Sequence, residues 1–231
     1  PLLQRPRRTR GLGFTLIEVL VALAIMAVMA VMTWRAIDGM TRAQAATQRH
    51  ADEVLALQAG LGQWRADLDS MMAWPDENGA MPAGAAGRRS LAWDGRVLRL
   101  TRMLTDTPAA GLRVVAWTRR PASGQWLRWQ SPPLASQAAW IAAWNAAAQW
   151  GQGAAAPGPQ AGGAQAVAIA TLESWQLLYY RNNAWTNPLS SGTDGLGNDN
   201  ALPDGVRLVI TLAPGQALAG ALQIDWVRPD F

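Results

Sequence analysis

Gly13-Phe14-Thr15-Leu16-Ile17-Glu18-Val19-Leu20-Val21-Ala22-Leu23-Ala24-Ile25-Met26-Ala27-Val28-Met29-Ala30-Val31-Met32 is the stretch from which the rest of the chain can be read. The nineteen residues from Phe14 to Met32 carry one ionisable side chain, Glu18. A helix needs about 20 mostly apolar residues to cross a hydrocarbon core of about 30 Å, so this run predicts a membrane-spanning helix. Arg5, Arg7, Arg8 and Arg10 precede it, while Arg35 and Asp38 follow with opposite signs. The positive-inside rule then leaves the amino end in the cytoplasm and exports everything after Trp34. A secretory signal would have a shorter apolar core and a small-residue cleavage site beyond it. Met29 to Arg35 offers only a poor site of that kind, so the anchor is expected to stay.

Glu18 lies a little over one turn inside the run, where a carboxylate is costly. Two readings are open: the side chain snorkels back to the headgroups, or it meets a partner cation within the membrane.

Gly13-Phe14-Thr15-Leu16-Ile17-Glu18, behind a short arginine-rich leader, resembles the class III signal of type IV prepilins and of type II secretion pseudopilins. In that family a membrane peptidase cuts after the glycine and methylates the new amino terminus. The resemblance therefore implies cleavage between Gly13 and Phe14, N-methylation of Phe14, and an assembly role for Glu18, the fifth residue of the cut chain. A physical argument agrees with it. The cut leaves a charged Phe14 amine at the head of a membrane helix, and in a stack of subunits Glu18 of one can compensate the amine of its neighbour.

After the span, no proline occurs from Thr33 to Met72, and Val54, Leu57, Leu61, Trp64, Leu68 and Met71 or Met72 recur at helical spacing. Asp52, Arg65, Asp67 and Asp69 fall between them and read as the solvated face. Trp74-Pro75 and Asn78-Gly79 supply a stop. The expectation is one helix from about Phe14 to about Met72, roughly 90 Å long at 1.5 Å per residue, weakened at Gly39, Gly60 and Gly62, where it would bend. The stripe around Trp64 reads as a core face.

From residue 90 the apolar period shortens. Ser90–Trp93, Arg96–Leu104, Leu112–Arg119 and Gln125–Gln130 read as antiparallel strands, followed by Ala166–Ala170, Ser174–Arg181, Val206–Leu212 and Leu222–Val227. Between the two groups, Ser136–Gln149 reads as a short helix capped by Ser136. The fold class is thus α+β: a long amino-terminal helix, membrane-spanning in its first part, packed on an antiparallel sheet domain, which is also the pilin-like layout. The expected divisions are a cleaved leader at 1–13, a transmembrane helix at 14–35, its amphipathic continuation at 36–72, and a β-rich exported domain at 73–231. A glycine-, alanine- and proline-rich tract at 151–165 reads as a flexible segment of that domain.

Several function classes lose ground on composition. Twenty arginines face sixteen acids, but four arginines lie in residues 1–13, so the remainder is formally neutral and has no nucleic-acid footprint. No cysteine is present, so disulfide and thiolate chemistry are excluded. The sole histidine, His50, sits on the long helix and is poorly placed for a Ser-His-Asp triad. Asp67 and Asp69 are two apart on that helix and point to different sides. No enzyme, no catalytic residue and no cofactor is expected. The segment Ser191–Asn200 has oxygen ligands and glycines that could hold calcium, but it lacks the EF-hand spacing and terminal glutamate, so no metal is assigned. Of thirteen tryptophans, Trp126, Trp129, Trp140, Trp144 and Trp150 could form a carbohydrate- or peptide-binding surface; packing and subunit contact is the favoured reading. The start at Pro1 reads as an incomplete precursor.

The stretch Val31–Met40, then Leu98–Arg102, Leu172–Tyr180, Trp185 and Leu202–Leu212, is similar to the J family of type II secretion minor pseudopilins. The middle, about Pro132 to Gln165, departs from that pattern. The resemblance implies a structural subunit at the tip of a short periplasmic filament that helps start its assembly and the export of folded proteins. Its implied partners are the I, K and H minor pseudopilins, the major pseudopilin, the prepilin peptidase and the inner-membrane assembly platform. Its implied place is the bacterial inner membrane, single-pass, with the carboxy-terminal domain in the periplasm. A minor pilin priming a type IV pilus shares the same anchor, and a membrane-anchored periplasmic binding protein is a third reading.

Overall fold

The protein was analysed as a computed structural model that describes residues 13–72, 90–104, 111–153, 165–190 and 202–229. Its elements run α1 (Leu16–Asp69), β1 (Leu91–Trp93), β2 (Val97–Leu104), β3 (Gly111–Arg119), β4 (Gln125–Gln130), α2 (Gln137–Gly151), β5 (Gln165–Arg181), β6 (Ala184–Thr186), β7 (Gly205–Leu212) and β8 (Gly220–Val227). The chain divides into two compact units, residues 1–49 and 50–231. Within the first, α1 is solvent-exposed nearly throughout, including every apolar side chain from Phe14 to Met32. It is the one helix among the described residues long and apolar enough to cross a membrane.

The second unit holds the last five turns of α1 and one antiparallel sheet in the order β1-β2-β3-β4-β5-β7-β8, with β6 added beside the end of β5. The register follows from pleat and burial. In β2, Leu98 and Leu100 face α1 while Val97 faces the other way; in β3, Val115 and Trp117 face α1 while Val114 and Ala116 face α2. Covered on both faces, β3 is buried along its whole middle, which accounts for a run of apolar residues without clean alternation. The core beneath α1 is aromatic. Trp64 meets Trp117 edge-on with centroids 5.3 Å apart, and Trp117 lies 4.8 Å from Trp126. Each fully buried large apolar side chain of this kind contributes about 1.5–3 kcal/mol, and edge-to-face geometry suits the ring quadrupoles.

On the far side, α2 is capped as expected, with the Ser136 hydroxyl accepting from the Ala139 amide. Trp140, Ala147 and Trp150 pack against Val97, Val114, Ala116 and Trp129, and Trp140 Nε1 donates to Thr101 Oγ1 at 2.8 Å. The tryptophans suggested as a binding surface are mostly core: Trp126, Trp129, Trp140 and Trp150 are buried and Trp144 is half-buried against Trp140.

Several expectations need correction. α1 ends at Asp69, not near Met72; Met71 instead bridges to Arg102 of β2. The two strands at 166–170 and 174–181 are one, β5, which carries irregularities in its ladders with β4 and with β7 and passes from one to the other. β6 has no counterpart in the sequence reading, since three residues are too few to show a period. Gly60 is also a close approach, where a Cβ would overlap Ile169 Cγ2 of β5. The tract at 151–165 is shorter than expected: Gly151 closes α2, with a Cβ there overlapping Val97, and β5 begins at Gln165, while 154–164 lies outside the described residues. The leader residues 1–12, the stop signal at 74–79 and the 191–200 loop also lie outside them. Asp67 is not on a solvated face; it is wholly buried.

Candidate functional site

Gly13, Phe14 and Thr15 precede α1, which starts at Leu16. The helix start is written in the sequence as Thr15-Leu16-Ile17-Glu18. Glu18 Oε2 accepts from the Thr15 amide and from the Thr15 hydroxyl, both at 2.9 Å, and Thr15 Oγ1 accepts from the Glu18 amide at 3.4 Å. The Thr15 carbonyl takes the first helical bond, from the Val19 amide. This reciprocal arrangement is a capping box, which satisfies donors that a helix start otherwise leaves open. A carboxylate in the first turn also meets the positive end of the helix dipole. Thr15 is the residue that reading the sequence for function passed over, and the T-x-x-E spacing was its signal.

Both bonds from Thr15 to the carboxylate end on Oε2. Phe14 is 87% exposed. Gly13 needs neither a positive φ nor space: a Cβ there meets nothing within 4 Å. The fold therefore places no demand for glycine at this position. Gly13, Phe14 and Glu18 thus sit together, within six residues, at one bare helix end. His50 lies exposed on α1, and among the described residues no group of three or more histidines and carboxylates is placed to hold a metal.

A second ionic centre, in the globular unit, surrounds Asp67. Arg128 binds it in a fork, Nε to Oδ2 and Nη2 to Oδ1 at 2.8 Å each; Trp117 Nε1 donates to Oδ2 at 2.9 Å and Gln63 Nε2 to Oδ1 at 2.8 Å. Arg102 Nη1 completes the set. Arg113 stands beside both guanidiniums, and burial, with their repulsion, lowers its pKa. Asp67 is fully buried and its bonds tie α1 to β2, β3 and β4. Asp69 does point elsewhere, accepting from Trp226 Nε1 of β8 at 2.7 Å.

The prokaryotic N-terminal methylation motif matches residues 8–34, the span that holds Gly13, Phe14, Thr15 and Glu18. Type II secretion system protein J of Escherichia coli is 36% identical over 99 residues, 42% of this chain and 49% of that protein. This chain therefore spans about half the length of the curated relative it matches. A chain in the crystal structure of the GspK-GspI-GspJ complex from the enterotoxigenic Escherichia coli type 2 secretion system shows a distant likeness, with TM-score 0.45, 14% identity, and coverage of 76% of this chain and 96% of that one.

Proposed function

We propose that this chain is a minor pseudopilin of the J family, a structural subunit that helps initiate the type II secretion pseudopilus at its tip. The observation that carries the reading is a coincidence. The methylation motif covers the bare helix start at 8–34, and the same chain is 36% identical over 99 residues to a type II secretion system protein J. In this reading the peptidase cuts after Gly13 and Phe14 is N-methylated; 14–35 anchors the chain in the inner membrane and the domain from 73 works in the periplasm. The I, K and H minor pseudopilins, the major pseudopilin and the assembly platform are its partners.

The geometry supplies a mechanism for recruitment. Cleavage frees the Phe14 amine, and the bonds from Thr15 to Glu18 both end on Oε2, which leaves Oε1 for a neighbour's amine in this reading. A carboxylate and an ammonium that would each be costly alone in hydrocarbon become tolerable together, which fixes the stagger between adjacent helices. The freedom around Gly13 supports recognition by the peptidase as the reason for glycine, since the chain's own fold does not require it.

The test is mass spectrometry of the amino terminus after membrane extraction, with recovery of co-purified partners from wild type and Glu18→Ala. A methylated Phe14, with partners lost in the variant, is expected. An intact leader, or partners recovered equally from Glu18→Ala, overturns the reading; recovery of type IV pilus subunits in place of pseudopilins moves it to the pilus.

A further inference from the structure

At the end of the sheet remote from α2, the strand termini of β5, β7 and β8 and the short β6 enclose an open groove of about 290 Å³. It is lined by Tyr180, Trp185, Asp204, Arg207, Asp225 and Val227, over a floor at Gly205. The chain adopts uncommon backbone to build it. Asn182 and Asn183 both have positive φ, 49° and 64°, as a two-residue hairpin turn of the primed type requires. That turn folds β6 back along β5 and lays Trp185 over β7. Gly205 makes room, since a Cβ there would stand 2.9 Å from the Trp226 carbonyl and 3.3 Å from the Trp185 ring.

Trp185 belongs to neither core cluster, so it is not held there by burial of the main core. Tyr180 packs against it at 5.1 Å and its hydroxyl donates to Asn183 Oδ1 at 2.6 Å. The Arg207 guanidinium stacks 4.1 Å from the Trp185 ring centroid and grips Asp225 in a fork, with distances of 2.7 and 2.6 Å. Asp204 accepts from Arg228 at 3.2 Å. Each carboxylate is matched by a guanidinium already in position, so the groove is electrically balanced and offers no net attraction to a charged ligand. The bidentate pair still leaves carboxylate lone pairs open.

We infer that this groove binds a neutral saccharide. The chemistry of such a ligand fits all three properties: an apolar C–H face for the aromatic side chains of Trp185 and Tyr180, hydroxyls for the planar Asp225–Arg207 and Asp204 groups, and no net charge. Its volume of about 290 Å³ lies just under the roughly 300–1,000 Å³ of small-molecule sites, with few polar groups beside aromatic side chains. The assignment is independent of the filament reading, because it uses no residue before Tyr180.

The test is saturation-transfer NMR on the full chain in a sugar-free detergent, lauryldimethylamine oxide, with maltotriose, cellotriose and chitotriose each at about 5 mM, a range that reports weak binding. Transfer to the ring C–H protons of at least one trisaccharide is expected, falling by at least about tenfold in Trp185→Ala and in Val227→Arg. Val227 is 62% exposed, so the second variant fills the groove without drawing on the core and decides the matter if the first fails to fold. No transfer from any of the three sugars, transfer that persists in Val227→Arg, or transfer only from a proline-rich peptide used as control overturns the assignment.

Discussion

Two carboxylates stand at the two ends of α1 and meet opposite circumstances. Glu18, in the first turn, is exposed and takes its hydrogen bonds from Thr15 alone; Asp67, in the last, is sealed from solvent and takes five from four side chains on four elements. One charge is complete within its own chain, the other is held by one residue and open on its remaining oxygen. The lesson is that a charge on a helix can be met across the fold or only by its own cap, depending on where its partners are encoded. Asp67 finds Arg102, Trp117 and Arg128 in its own sequence, and Glu18 finds only its cap.

The strongest way to break this comparison is at Asp67. Asp67→Ala leaves Arg102 and Arg128 buried without their counter-charge and is expected to destabilise the domain by about 3–5 kcal/mol in chemical denaturation. A loss below about 1 kcal/mol would mean that the centre is not the tie described above. A smaller effect sharpens the helix–sheet fit. Gly60→Ala overlaps Ile169 and should cost about 1–3 kcal/mol, recovered in part by Ile169→Ala. Gly62→Ala meets nothing and should instead stabilise α1 by up to about 1 kcal/mol. If both glycines respond alike, the close approach at Gly60 is wrong. Thr15→Ala should fray the first turn, costing that helix end about 1 kcal/mol, with the denaturation midpoint of the globular unit unchanged. Loss of exchange protection at the Glu18 and Val19 amides would register it.

The smallest effect concerns Asp225. Its fork with Arg207, chiefly through hydrogen bonding, holds this carboxyl below its ordinary pKa and raises that of Arg207. A lowered carboxyl contributes stability at neutral pH and loses it as pH falls through and below the ordinary carboxylate range. Wild type and Asp225→Asn should therefore differ slightly at pH 7 and converge in acid, as thermal melts across that range would show. Divergence on acidification would reverse the sign.

Much of this layout was legible in the residues because its signals are local. The apolar run, the Ser136 cap and the strands from 91 to 130 each depend on neighbours within about ten positions. Asp67 was not legible for the complementary reason: it interrupts an apolar stripe in the manner of a solvent-facing charge, while the groups that neutralise it lie 35 to 61 positions away. β5 read as two strands because its ladder shifts register near Leu172. Gly60 read as a weakness because the sequence around it contains no mark of Ile169. The helix start itself stood out, but the reciprocal capping of Thr15 and Glu18 within it went unread.

The closing turn of α1 has a mechanical consequence. Asp67 reaches β2, β3 and β4, and Asp69 reaches Trp226 on the edge strand β8. Tension along the last turns of α1 is therefore split between the two flanks of the sheet and loads several side-chain bonds in parallel. Bonds sharing a load in this way must fail together, so this part of α1 is anchored as a rivet is, and not as a zipper that peels from one end.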